Sequence, residues 1–326
     1  MLNKNRKIGL IALSNLKGIG PAFIKKYINE NTFDSDSIVD SIKNIIVSKK
    51  EIEVEDISIE VKNAKDTLKK AKDYNTTILD YFDNDYPSNL KELKDAPPVI
   101  YCRGNLNLLN SHIICIIGTR KPNETGKTIA NRISEYFTQQ KWAICNGIVD
   151  GIDDATIREQ NNYRKNIIGI LGGGVDFENK TVNKIALENA KFVLENDGLL
   201  ITEQPFGLKE NTFSVVKSCR LQAGISNGLV LVQSSIDGGS KYTITSFAEL
   251  NRTMGVIKPI KNDIELISYA ANQILISEKN EGLAKMTKLK IDKLKVRDII
   301  EIASKNDYEV LRIAILKTNN TEFSLF

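Results

Sequence analysis

The spacing of apolar positions changes twice along this chain. Over residues 1–75 it is helical, with Ile8, Leu10, Ile11, Leu13 and Leu16 forming one apolar face. The stretch Leu16-Lys17-Gly18-Ile19-Gly20-Pro21 interrupts that face and residues 22–28 resume it, which predicts helix, glycine turn, helix. Residues 36–73 continue with helical periodicity and a Lys- and Glu-rich solvated side. Between 76 and 110 the periodicity breaks up. Residues 77–80 and Val99–Gly104 read as short strands, separated by the breakers Asp85-Tyr86-Pro87 and Ala96-Pro97-Pro98.

From residue 113 onward, short and continuously apolar runs alternate with amphipathic stretches of helical length. The runs are Ile113–Ile117, 142–146, 166–171, 198–202, 228–233 and 255–259. A strand that is apolar on both faces belongs in a parallel sheet covered by helices on both sides. The predicted class is therefore α/β, with a mostly parallel sheet over 76–276 preceded by a small helical domain over 1–75. Residues 277–326 read as a C-terminal helical extension: a Lys-rich linker or exposed helix over 278–295, an amphipathic helix over 296–317, and a tail over 319–326 open to strand or disorder. No internal repeat is visible.

Composition adds limits rather than a function. The chain is 41% hydrophobic and 26% charged, which is ordinary globular usage. Its net charge of +4 alone barely favours a nucleic-acid partner. With one histidine and four cysteines, none at C-x-x-C spacing, a zinc site or a Cys–His nucleophile is poorly supported. Cys115 and Cys145 sit in apolar runs as buried thiols, which fits a reducing cytoplasmic compartment. The N-terminus lacks the apolar core of a signal peptide, and no run is long enough to span a bilayer. The expectation is a cytoplasmic protein without membrane, metal or cofactor.

Several predicted strands run into glycine turns at their carboxyl ends, the edge where open α/β sheets bind ligands. After 113–117 come Gly118, Thr119, Arg120 and Lys121, then Gly126 and Lys127. Glycine, hydroxyl and guanidinium ahead of a helix start make an anion site, although a plain strand–turn–helix with solvated cations fits equally. Gly126-Lys127-Thr128 resembles the end of a Walker A loop without its upstream glycine. Gly147 and Gly151-Ile152-Asp153 follow the next strand, with Asp153 suited to cap a helix. Gly172, Gly173 and Gly174 suggest phosphate approach or a tight turn. Lys217 and Arg220 share a helix face, and Gly239-Ser240-Lys241 opens another helix. Glu249 and Arg252 are spaced to pair. Together Arg120, Lys121, Lys127, Lys217, Arg220 and Lys241 would form a cationic rim suited to a sugar–phosphate chain. Phe206, Phe213 and Tyr242 could stack on bases or simply fill core.

The order of these motifs resembles the DprA/Smf family of DNA-processing proteins. The resemblance runs from about residue 80 to 276. It takes in Asp85-Tyr86-Pro87, Pro97-Pro98-Val99-Ile100-Tyr101, Arg103-Gly104, Ile117-Gly118-Thr119-Arg120 and Gly151-Ile152-Asp153. It continues through Leu171-Gly172-Gly173-Gly174-Val175-Asp176, Thr202-Glu203-Gln204-Pro205, Ala223-Gly224-Ile225-Ser226, Gly239-Ser240, Thr243, Glu249 and Arg252. Residues 16–28 look like that family's N-terminal helix–hairpin–helix, of the SAM-like kind. The resemblance implies an extended Rossmann-like fold, single-stranded DNA as ligand, homodimerisation, delivery of DNA to a RecA-type recombinase, and no catalytic residues. It implies that Arg120 contacts phosphate, that Lys217 and Arg220 line the pocket, and that Gly239, Ser240 and Lys241 close it. The chain departs from the family pattern at Ile157, where a histidine is usual, and at Val215-Val216, Ser218-Cys219, Gly238 and Ile260. Such drift suits a specialised relative, for example the regulatory or antitoxin-like partner of a toxin. A nucleotide-binding sensor or an enzyme of the LOG phosphoribohydrolase type is a third reading. Against it, no Thr and Glu of the LOG signature follow Gly174.

Overall fold

The computed structural model describes residues 2–33, 37–48, 52–159 and 162–320. The chain opens with helices α1 (Leu2–Asn15), α2 (Pro21–Tyr27), α3 (Ile38–Ile45) and α4 (Val54–Asp73). Pro21 starts α2, where its missing N–H is harmless, and Ser37 caps α3 by accepting from Asp40 N–H. These helices bury Leu10, Ile11, Leu13, Ile24 and Ile42 in a core continuous with that of the sheet. Arg6 joins the two parts. Its Nε lies 3.0 Å from Asp80, which is wholly buried at the end of the first strand, and its Nη2 lies 2.9 Å from Asp83.

The strands are β1 (Thr76–Asp80), β2 (Val99–Gly104), β3 (Ile113–Ile117), β4 (Ala143–Asn146), the small hairpin β5 (Arg158–Glu159) and β6 (Asn162–Tyr163), β7 (Ile167–Ile170), β8 (Leu199–Thr202), β9 (Gly228–Leu231), β10 (Thr253–Ile257) and β11 (Asp298–Ile302). Between and after them run α5 (Ser88–Lys91), α6 (Glu124–Gln139), α7 (Ile152–Ile157), α8 (Lys184–Glu195), α9 (Thr212–Ile225), α10 (Ser240–Ala248), α11 (Ala270–Glu278), α12 (Asn280–Thr287) and α13 (Asn306–Asn320).

One sheet has the order β1-β2-β8-β7-β4-β3-β9-β10-β11. β1 and β2 pair antiparallel at one end, and from β8 to β11 all pairings are parallel. The fold is thus α/β with a mostly parallel, Rossmann-like sheet. Successive strand residues face opposite layers. Ile114, Ile116, Ile144 and Ile167 pack with α6, α7, α8 and α13, while Cys115, Ile117, Leu229 and Leu231 pack with α10, α11 and α12. Both faces are covered, which is why the strands read as unbroken apolar runs. The chain steps outward from β3 through β4, β7 and β8, then returns to place β9 on the other side of β3. The helices that directly follow β3 (α6) and β9 (α10) therefore leave toward opposite faces. This makes the β3/β9 boundary the topological switch point, where open α/β sheets form a crevice at the carboxyl end.

The C-terminal stretch departs from its helical reading. Residues 298–302 form β11, which pairs in register with β10, and only then does α13 begin. Residues 280–287 are helix α12, which buries Leu283 and Met286 rather than acting as an exposed linker. A five-residue, half-covered edge strand is too short for periodicity to separate from a helix. Its pairing partner lies about forty-five residues upstream and is invisible to any local window. Of the tail over 319–326, residues 321–326 lie outside the described residues.

Candidate functional site

The β3/β9 crevice is walled by the loops that follow β3, β4 and β9. The loop after β3 is pinned on several sides. Thr119 N–H donates to the Gln233 carbonyl at 2.7 Å, and Ile152 N–H donates to the Thr119 carbonyl at 3.1 Å. Gly151, at φ +87°, is pressed so closely under this loop that a Cβ would fall 2.4 Å from the Thr119 carbonyl oxygen. Asn123 caps α6 by accepting from Gly126 N–H at 2.9 Å. Arg120 and Lys121 stand between these anchors with exposed side chains, and neither makes an ion pair with a described residue. Lys127 is exposed too, but it pairs with Glu124 on its own helix at 2.7 Å.

The loop after β4 is built on buried polar groups. Asn146 accepts from Ile148 N–H at 2.9 Å and donates to Thr156 Oγ1 at 2.6 Å. Asn189 donates to the Ile148 carbonyl at 3.0 Å. Together they hold Ile148 at φ 47°, an uncommon state for a β-branched residue. Asp153 does not cap α7 as the sequence suggests; Gly151 occupies the cap position. The Asp153 carboxylate instead reaches back to accept from Gly147 N–H at 3.0 Å and from Val149 N–H. Burial pushes its pKa up to about 7, although those N–H donors and the nearby Arg120 charge favour the carboxylate.

The pH dependence follows from that shift. The folded state binds a proton on Asp153 at pH values where the unfolded chain has lost it. Asp153 therefore favours folding most below the ordinary carboxylate pKa of about 4, and that contribution is lost as pH rises to about 7. The unfolding free energy of Asp153→Asn, measured in urea from pH 4.5 to 8, is expected to fall less steeply with pH than the wild type. Parallel slopes would contradict the assignment.

The α9 cations do not stand free. Arg220 is 6% exposed and grips Glu203 with both Nη atoms, at 2.5 and 2.7 Å, while its Nε lies 2.8 Å from Asp95. Burial works against its charge, but Glu203 and Asp95 more than offset this and raise its pKa. Lys217 Nζ lies 3.2 Å from the same Glu203. The shared helix face anticipated for Lys217 and Arg220 exists, but it closes on a carboxylate. Arg252 likewise does not pair with Glu249. It follows the end of α10, so helical spacing no longer applies. Its guanidinium donates to the carbonyls of Ala223, Gly224 and Ser226 and to Glu92, while Glu249 takes Lys94.

The glycine run also proves internal. Gly172, Gly173 and Gly174 are buried, and Cβ atoms on them would meet Val215, the Thr181 carbonyl and the Pro205 carbonyl. They allow close packing of the 205–215 segment instead of presenting open amides.

The start of α10 is different. Gly239 has open space around it, and Ser240 is 6% exposed with an Oγ that has no hydrogen-bond partner among the described residues. Lys241 reaches Asp237 at 3.4 Å, on the exposed side. One turn on, Thr243 bonds Cys219 of α9, and Arg120 and Asp153 both lie close enough to act on that thiol. The β3 and β4 loops, α9 and the first turns of α10 thus converge. Of the aromatics, Phe206 is packed on Tyr74 and Tyr101, whereas Phe213 (76% exposed) and Tyr242 face solvent. Among the described residues, no His, Cys, Asp and Glu cluster could hold a metal, and no helix is long and apolar enough to cross a membrane.

Two residues that build the site carry no motif signal: Asp95 is an ordinary acidic position in sequence, and Gln233 is simply the last polar residue of an apolar run. Glu203 lies in the Thr202-Glu203-Gln204-Pro205 motif, but nothing in the sequence marks it as the partner of Lys217 and Arg220.

Comparison with known proteins agrees with this architecture. The family model for DNA recombination-mediator protein A matches residues 77–293. The chain belongs to that family. It is 27% identical over 200 residues to the DNA processing protein DprA of Bacillus subtilis, covering 59% of this chain and 66% of that protein. It is 27% identical to protein Smf of Synechocystis, covering 62% of this chain and 54% of that one. These matches span between about half and two thirds of the relatives' own length. In fold, the DprA structure from Streptococcus pneumoniae superposes with a TM-score of 0.67 at 20% identity, covering 95% of this chain and 96% of that one. A Helicobacter pylori DprA structure, described for its single-stranded DNA binding mode, superposes with a TM-score of 0.53 at 20% identity over 63% of this chain and 89% of that one.

Proposed function

We propose that this family member binds single-stranded DNA along the carboxyl edge of its sheet, with Arg120 and Lys121 on the backbone phosphates at the β3/β9 crevice. The observation that carries this reading is the pinned loop: two exposed cations that make no ion pair with a described residue, held at the topological switch point of a mostly parallel sheet. The unpartnered Ser240 Oγ at the start of α10 offers a hydroxyl to a second phosphate oxygen, with the helix dipole behind it. Gly239 leaves room for the backbone of the strand, and Lys241 adds charge. Phe213 and Tyr242 face solvent and would supply base-stacking surfaces. Lys217 and Arg220 act from behind by fixing α9, and Gly172, Gly173 and Gly174 act by packing. In this reading the protein is a non-catalytic carrier in DNA processing and recombination. It works as a homodimer and passes its strand to a RecA-type recombinase.

Fluorescence anisotropy with an oligo-dT strand tests this directly. The double variant Arg120→Ala/Lys121→Ala is expected to weaken binding at least about tenfold and to lower the slope of log K against log salt by about 1.4. Absence of wild-type binding at low salt, or an unchanged slope in the variant, would remove the reading.

One observation favours a second reading, in which the main partner is another protein such as a cognate toxin. Ile236, Ile260, Ile264, Leu266 and Ile267 are exposed on the loops after β9 and β10. Affinity capture from the native host with Ile264→Asp/Ile267→Asp as control would show it: a partner retained by the wild type and lost by the variant supports this reading.

A further inference from the structure

Gln233 follows β9 on the opposite side of the crevice from Arg120, and it is wholly buried. Its backbone carbonyl accepts from Thr119 N–H at 2.7 Å. Its side-chain Oε1 accepts from Asn123 N–H at 3.2 Å. One residue therefore grips the loop on both sides of Arg120 and Lys121. The other end of the amide, Nε2, donates to Ser268 Oγ at 2.8 Å, in the segment that leads from β10 into α11. The orientation of the amide is not free. A backbone N–H can only donate, so Oε1 must face Asn123 and Nε2 must face Ser268. The first turn of α6 packs directly on this group, for a Cβ on Gly126 would lie 2.3 Å from Oε1.

The Gln233 side chain thus hydrogen-bonds both to the start of α6 and to the β10–α11 segment. The segment it reaches carries Ile267, which is 80% exposed and next to Ser268. We infer that Gln233 is the positioning residue of the site: its amide holds Arg120 and Lys121 in the conformation that meets a phosphate, and ties that conformation to the β10–α11 segment. This rests on the strand-binding reading given above. Gln233 itself touches no ligand. It acts by removing freedom from the loop, so that little ordering is left to be done when the strand arrives.

Two variants separate positioning from general support. Gln233→Met keeps side-chain volume and removes both side-chain hydrogen bonds. Ser268→Ala removes the far anchor at a half-buried surface position and leaves the core untouched. Losing one to two such bonds corresponds to roughly a tenfold weaker affinity for oligo-dT in Gln233→Met and about threefold in Ser268→Ala. If both act through the loop cations, the factors shrink to within about twofold when each is introduced into Arg120→Ala/Lys121→Ala. Hydrogen exchange of the amides over 119–126 is expected to rise in both variants without DNA, with the amides of β9 and β10 unchanged. Equal factors on the wild-type and Arg120→Ala/Lys121→Ala backgrounds would show a merely structural role and overturn the inference while leaving strand binding intact. Unchanged affinity and unchanged exchange would overturn it as well. Failure of the wild type to bind oligo-dT at low salt would instead remove the strand-binding reading on which it rests.

Discussion

Arg220→Met is expected to lower the unfolding free energy by about 3–5 kcal/mol, the usual loss when one partner of a buried ion pair is removed. The size follows from what stays behind. The Glu203 side chain is 5% exposed, and Arg220 supplies it with two donors. Methionine fills similar space and offers none. Lys217, at 3.2 Å, still covers part of the charge and places the expected loss toward the lower end of that range. Asp95 loses a donor too, but it is more open to water. Adding Glu203→Gln to Arg220→Met should recover a substantial part of the loss, because the stranded charge is gone. Urea unfolding of both single variants and the double variant measures this. At temperatures where Arg220→Met is folded, its affinity for single-stranded DNA should stay close to that of the wild type. Unchanged stability with a large loss of affinity would return Arg220 to the rim of the site.

Gly173→Ala carries the second large effect, expected at more than about 4 kcal/mol, the range reserved for steric conflict in a packed interior. A Cβ at this position would sit 2.1 Å from the Thr181 carbonyl oxygen and 3.0 Å from that of Leu208. Both obstacles are backbone. The Thr181 carbonyl is held by Glu210 N–H at 2.7 Å, and the Leu208 carbonyl by Gly174 N–H at 2.9 Å. Relief would require those bonds to break. Gly239→Ala is the contrast. Its φ of −57° suits any residue and nothing lies within 4 Å of the added methyl, so the change should be nearly neutral in stability. Thermal unfolding of the two variants side by side checks the pair. A well-folded Gly173→Ala protein would mean that this turn has room the structure does not show.

These two glycines mark the limit of what motifs convey. In sequence, Gly172-Gly173-Gly174 and Gly238-Gly239-Ser240 look alike, each a glycine-rich turn after an apolar run. Only the surroundings separate them. The first is roofed by the 205–215 segment, and the second opens to solvent ahead of a helix. The same holds for the cations. Arg120, Lys217 and Arg220 carry equal formal charge, yet Glu203 and Asp95, brought by β8 and by the turn after α5, neutralise two of them. Cation spacing is legible in the chain; the position of the opposing carboxylate is not.

The alternation of short apolar runs with amphipathic stretches determined by itself that the chain forms a helix-covered parallel sheet. Burial on both faces leaves a strand no polar side to show, and that mark is local. Its ordered glycine turns mark the carboxyl ends of those strands, the edge at which the proposed site lies. Tertiary structure alone decided that β11 completes the sheet, that Asp153 holds the β4 loop, and that Gln233 clamps the loop bearing Arg120. Each of these depends on contacts between residues far apart in the chain, and a buried carboxylate or amide has no meaning until its partners are folded around it.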